Sequence, residues 1–189
     1  MNKGLTLIEL LVTTTMISIT LTGVVSIFTS TISGQEISLA SQEVLDQSSY
    51  VVEYMSRTLR MAKKDEVGAC LNDITLNYSK DGNTIRFLSY HDQCYEFSLN
   101  ETTDTLQERK SSDNTDDNFG AWVDLTSSGL EVISFNIGPS YSWDENDDYQ
   151  PRVTLFFEIK SKRPGLSEEE KPVIRLQTTV SQRNLDIID

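Results

Sequence analysis

One apolar run near the start of the chain constrains its organisation more than any other feature. From Leu5 to Ile32 the residues are mostly Leu, Ile, Val, Met and Phe interleaved with Thr and Ser, and Glu9 is the one charged side chain among them. A helix needs about 20 residues to cross a bilayer, so this stretch is long enough. Its hydroxyls make it a weak span by hydropathy, but inside a helix they can bond back to their own carbonyls.

The charge distribution repeats this division. The 189 residues carry 16 Lys+Arg against 29 Asp+Glu, a formal charge of −13. Residues 1–34 contain only Lys3 and Glu9, which cancel, so the whole excess lies in residues 35–189. An acidic body of this kind repels phosphate backbones, and direct nucleic-acid binding is not expected. With one histidine, His91, and two cysteines, Cys70 and Cys94, a His-rich metal site, a four-cysteine zinc site and haem attachment are excluded by count.

Three readings compete for the apolar head. A cleaved secretory signal is opposed by the absence of a clear A-x-A site around Ser33-Gly34 and by an apolar run that begins right after Gly4. A plain signal anchor is opposed by Glu9, since a lone carboxylate inside a bilayer is costly and needs a partner. The third reading supplies one. Lys3-Gly4-Leu5-Thr6-Leu7-Ile8-Glu9-Leu10-Leu11-Val12 resembles the prepilin signal of type IV pilins and type II secretion pseudopilins.

That resemblance implies cleavage between Gly4 and Leu5 by a prepilin peptidase and N-methylation of Leu5, which stands where the family usually has Phe. Glu9 then lies fifth in the mature chain and neutralises the terminal ammonium of a neighbouring subunit during assembly. The implied division is a leader at 1–4, a transmembrane and filament-core helix at 5–33, the outer half of that helix at 34–64, and a globular β-rich head at 65–189. The implied partners are the peptidase, other pilin or pseudopilin subunits, and the membrane through residues 5–33. The protein would be a single-pass cytoplasmic-membrane protein with an extracytoplasmic head, entering a pilus or pseudopilus on assembly.

Residues 35–63 continue at helical spacing. One apolar row runs through Ile37, Val44 and Val51, and another through Ala40, Met55 and Leu59, broken at Gln47-Ser48. No proline occurs before Pro139 to force a kink. A stripe this short and interrupted reads as packing on the chain's own sheet rather than as a coiled-coil seam. Beyond Lys64, β-rich runs at Ile74–Ser79, Thr84–Tyr90, Cys94–Leu99, Leu130–Ile137, Arg152–Lys160 and Pro172–Ser181 predict strands. Asp81-Gly82 predicts a hairpin turn, and Thr105–Arg109 and Trp122–Leu125 read as short edge strands. The expected fold is α+β and pilin-like, a long helix whose second half packs on an antiparallel sheet. The helix end Tyr54–Ala62 and the closing Ser181-Gln182-Arg183-Asn184 resemble W-type minor pilins and J-type minor pseudopilins, which implies a minor subunit priming assembly near a filament tip.

Exported location, which rests on the leader, favours a Cys70–Cys94 disulfide over two free thiols. Asp113, Asp116 and Asp117 on one acidic loop, and Asp144, Asp147 and Asp148 on another, are candidate Ca2+ ligands. Neither loop has the glycine of an EF-hand, and solvated acidic loops are the competing reading. No other cofactor is implied. His91-Asp92 could belong to a triad by composition alone, but no serine sits in G-x-S-x-G, and His91 falls in a turn. Trp122, Trp143, Tyr141 and Tyr149, which surround the acidic loops, read as core or edge-covering residues or as a surface for a sugar or protein. The sequence therefore points to a structural subunit rather than an enzyme. A membrane-anchored adhesin or receptor that never joins a filament is the alternative.

Overall fold

The computed structural model describes residues 6–144 and 149–183. Helix α1 spans Leu7–Arg60, and eight strands follow: β1 Ser79–Asp81, β2 Thr84–Leu88, β3 Cys94–Asn100, β4 Thr105–Lys110, β5 Val123–Asp124, β6 Leu130–Gly138, β7 Arg152–Ser161 and β8 Val173–Ser181. The chain divides into two compact units between Leu39 and Ala40. The architecture is α+β and pilin-like.

In the first unit every described residue from 6 to 36 is exposed. The helix forms there by local rules. Thr6 and Glu9 make a reciprocal N-terminal cap, and leucine, isoleucine and methionine fill the turns that follow.

The second unit starts where the helix first becomes buried. Ala40, Val44, Ser48, Val51, Met55 and Leu59 are inaccessible, a spacing of four, four, three, four and four that keeps one face inward. Ser48 was expected to break this stripe. Instead it lies within it, and its hydroxyl makes no hydrogen bond among the described residues. The C-terminal carbonyls of α1 are all used. Met61 N–H donates to Arg57 and Thr58, Ala62 N–H to Leu59, and Arg183 N–H to Arg60 at 2.9 Å, while the buried Tyr78 hydroxyl donates to Leu59 at 2.8 Å.

The strands form two antiparallel sheets where the sequence pointed to one, in the orders β1-β2-β3-β4-β5 and β6-β7-β8. Phe87 and Phe97 of the first sheet and Phe135, Val153, Leu155, Phe157 and Ile159 of the second share one core with Val44, Val51, Met55 and Leu59. The alternation along β7 puts Val153, Leu155, Phe157 and Ile159 on that core side. The sheets are joined through Val132 N–H to Asp104 O at 2.8 Å and Lys80 Nζ to Ile137 O at 2.6 Å.

Two strand assignments need correction. Ile74–Ser79 is not a strand; pairing begins at Ser79. Asp73 accepts from the amide and hydroxyl of Thr75, and the Asn77 N–H goes to Trp143 O, so the segment's backbone groups are spent elsewhere. Thr105–Lys110 is an interior strand between β3 and β5, not an edge. The expected hairpin is present: Gly82 takes φ +56° in the two-residue β1–β2 turn, a conformation that favours glycine.

Candidate functional site

Two features carry chemistry: the start of α1 and a charged clamp in the first sheet. At the helix start, Glu9 Oε2 accepts from the Thr6 amide at 3.0 Å and the Thr6 hydroxyl at 2.9 Å, and the Glu9 amide donates to the Thr6 hydroxyl at 3.4 Å. Oε1 of Glu9 makes no hydrogen bond among the described residues and is open to a cation. Gly4 and Leu5, the expected processing residues, lie outside the described residues. The segment that follows is long and apolar enough to cross a membrane, and none of its window is buried.

Its hydroxyls behave as expected. Thr13, Thr14, Thr15, Ser18, Thr20, Thr22, Thr29 and Thr31 each donate to a carbonyl three or four residues earlier, at 2.8–3.1 Å. These donors need no water, so the helix presents its apolar surface without unpaired hydroxyls at those positions.

In the head, Cys70 and Cys94 form a disulfide with Cα atoms 5.5 Å apart. It ties the turn after α1 to β3. Asp65, almost fully buried, shapes that turn by accepting from the amides of Gly68, Cys70 and Leu71 at 2.9, 2.7 and 2.8 Å. Gly68 adopts φ +70° there, which suits a residue without Cβ.

The acidic loop after β4 is held to the same turn. Asp116 accepts from Asn72 and Arg86, each at 3.0 Å, and its amide donates to Ala69 O. Asp113 accepts from the Thr115 amide and hydroxyl and from Asn118. The Thr115 hydroxyl leads these contacts in holding the Asp113 carboxyl below the usual carboxylate range. Asp117 is exposed. Among the described residues no three acidic, histidine or cysteine side chains gather as a metal site. Asp113, Asp116 and Asp117, the calcium candidates of this loop, are thus not gathered into such a group. Asp144 lies against Thr75, with 3.5 Å between its Oδ2 and the threonine hydroxyl. Its companions Asp147 and Asp148 lie outside the described residues. His91 is exposed and packs edge-on to Tyr90, while Asp92 pairs with Lys63. Trp143 is core, donating its indole N–H to Arg152 O at 2.8 Å.

The charged clamp was not anticipated from the sequence. Register places Arg86 and Arg109 on either side of Glu96 on neighbouring strands. Arg86 Nε meets Glu96 Oε1 at 2.6 Å and Arg109 Nε meets Oε2 at 2.5 Å, with the Glu96 side chain only 3% exposed. The Arg109 guanidinium lies over both the Phe119 and Trp122 rings, at 4.3 and 4.5 Å from their centroids. A signal was present: Arg86 and Glu96 each stand in mid-strand, and Arg109 follows Glu108 near the end of β4. Only the pairing register brings the three together.

No family model, curated protein or solved structure matches this chain. Its reading therefore rests on the residues and geometry above.

Proposed function

We propose that this chain is a non-enzymatic structural subunit, a minor pilin or pseudopilin, of a type IV pilus-like or type II secretion filament. The observation that carries the proposal is the exposed apolar helix bearing one carboxylate at its start. From 6 to 36 no described residue is buried by the chain itself, so lipid or other subunits must cover the apolar surface. Prepilin peptidase would cut after Gly4 and the new N-terminus at Leu5 would be methylated. The subunit would wait in the membrane, its apolar helix as anchor, with the head outside. On assembly the open oxygen of Glu9 would receive the terminal ammonium of a neighbouring subunit. In a low dielectric such a pair contributes register more than net stability.

Intact mass and N-terminal sequencing of the protein from its native membrane test the processing step. The expected chain begins at N-methyl-Leu5. A chain retaining Met1–Gly4 would instead support an anchored binding module, and one beginning near Gln35 would mean an ordinary cleaved signal. Glu9→Ala tests assembly: it should remove the subunit from sheared filaments while leaving it in the membrane. Normal incorporation of that variant would defeat the filament reading.

A further inference from the structure

A depression of about 300 Å3 opens beside the Glu96 clamp, lined by Asn72, Asp81, Thr84, Arg86, Arg109 and Trp122, with Glu96 at its base. We propose that it binds a neutral saccharide. The inference goes beyond the filament reading and holds whether or not the chain is processed.

Charge selects the ligand class first. The two guanidiniums in the lining both pair with Glu96, and Asp116 pairs with Arg86 from just outside, while Asp81 also lies in the lining. An anion therefore finds no uncompensated cation there. Among the described residues Asp81 is left as the one unpaired carboxylate of the lining, beside two guanidiniums rather than other carboxylates. Such a mixed setting suits a neutral polar ligand with hydroxyls to donate and accept.

Hydrogen-bonding capacity points the same way. Arg86 and Arg109 each use Nε on Glu96, and Arg86 Nη1 goes to Asp116 and Cys70 O. Arg86 Nη2 and both terminal nitrogens of Arg109 have no hydrogen-bond partner among the described residues, and neither has the exposed Asp81 carboxylate. The site thus offers planar two-toothed donors beside a two-toothed acceptor. Vicinal hydroxyls, which both donate and accept, fit such a mixture.

The third element is apolar. Arg109 covers the Trp122 ring on one side, yet the residue stays 38% exposed, so part of the indole remains open for the C–H face of a sugar ring. Glu96 fixes both arginines, and the disulfide-held turn supplies Asn72. Little side-chain order remains to be lost on binding, and a pocket of this size lies at the small end of the ligand-site range of about 300–1,000 Å3.

The test uses the full chain in a zwitterionic detergent free of sugar headgroups, titrated separately with glucose, galactose, N-acetylglucosamine and cellobiose while tryptophan fluorescence is followed. At least one sugar should give a saturable change. Trp122→Ala and Asp81→Ala, checked for fold by far-UV circular dichroism, should each weaken binding roughly tenfold or more, the first by loss of the apolar ring face and the second by loss of one charged hydrogen bond. Asp81 is exposed at a strand end, so its variant decides the matter should Trp122→Ala fail to fold. No saturable response to any of the four sugars would overturn the proposal. So would a response unchanged in Asp81→Ala, or saturation by inorganic phosphate in place of sugar.

Discussion

The two units use the same residue types for opposite purposes. In the first, threonine and serine hydroxyls return to the helix's own carbonyls, leaving the apolar side chains facing outward. In the second, hydroxyls pair across strands, as between Thr84 and Ser98 at 2.7 Å and Thr154 and Thr179 at 2.9 Å, and the apolar side chains turn inward. The first unit satisfies its polar groups locally, so it can form without tertiary contacts. The second satisfies them through register, so its order depends on the whole head folding at once. Apolar content alone does not separate the exposed apolar helix from the core; the destination of the polar groups does.

The largest test of this contrast is a matched pair of phenylalanine truncations. Phe97 is fully buried and packs against Phe87 and Tyr54. Phe97→Ala should lower the stability of the head by about 3–5 kcal/mol, read as a shift in the near-UV circular dichroism melting curve. Phe28 is exposed on the apolar helix. Phe28→Ala should leave that curve unchanged and act only on membrane or subunit association. Equal shifts in the two variants would erase the distinction between the exposed apolar helix and the core.

The next effect sharpens the comparison within the head. The Cys70–Cys94 bridge closes a loop with a sequence separation of 24. Replacing both cysteines with serine should cost about 3 kcal/mol on the chain-entropy account. Hydrogen exchange should rise first in the Asp65 turn and the 111–119 loop, which hang on Cys70 through Ala69 and Arg86. Uniform loosening of the three-stranded sheet instead would mean that the bridge stabilises the head without specifically supporting that corner.

What the sequence reveals follows the same boundary. The apolar helix and its continuation were legible because each depends on local period; the Cys70–Cys94 pairing was legible from two cysteines together with the exported location that the leader resemblance implies. The division into two sheets was not, because it depends on which strand pairs with which. Ile74–Ser79 misled because its β-rich composition competes with the turn that Asp73 makes with Thr75 and with a distant bond to Trp143. The acidic loop left calcium ligation and a solvated loop open in the sequence, because composition does not show that its oxygens accept from Thr115, Asn118, Asn72 and Arg86. Arg86, Glu96 and Arg109 were each visible, but a clamp exists only once β2, β3 and β4 are in register.

The smallest expected effect belongs to the surface of the second unit. Lys160, the leading cause, lies 2.5 Å from Glu168, and together with Lys171 it holds the Glu168 carboxyl well below its ordinary 4.5, at about 2. Because the folded value is the lower one, the stabilisation is present in full above the unfolded value of 4.5 and is lost as the pH falls through that window towards 2. Glu168→Gln should therefore flatten the acid limb of the head's melting temperature against pH, lying slightly below wild type near neutrality and converging with it as the pH falls towards 2. Glu168 is largely solvent-exposed, so salt screens the attraction. In about 1 M NaCl, where the Debye length is near 3 Å, the wild-type limb should approach that of the variant. An acid limb that keeps its slope in Glu168→Gln would assign the pH response to other carboxylates, with Asp113, also held low, the next to replace.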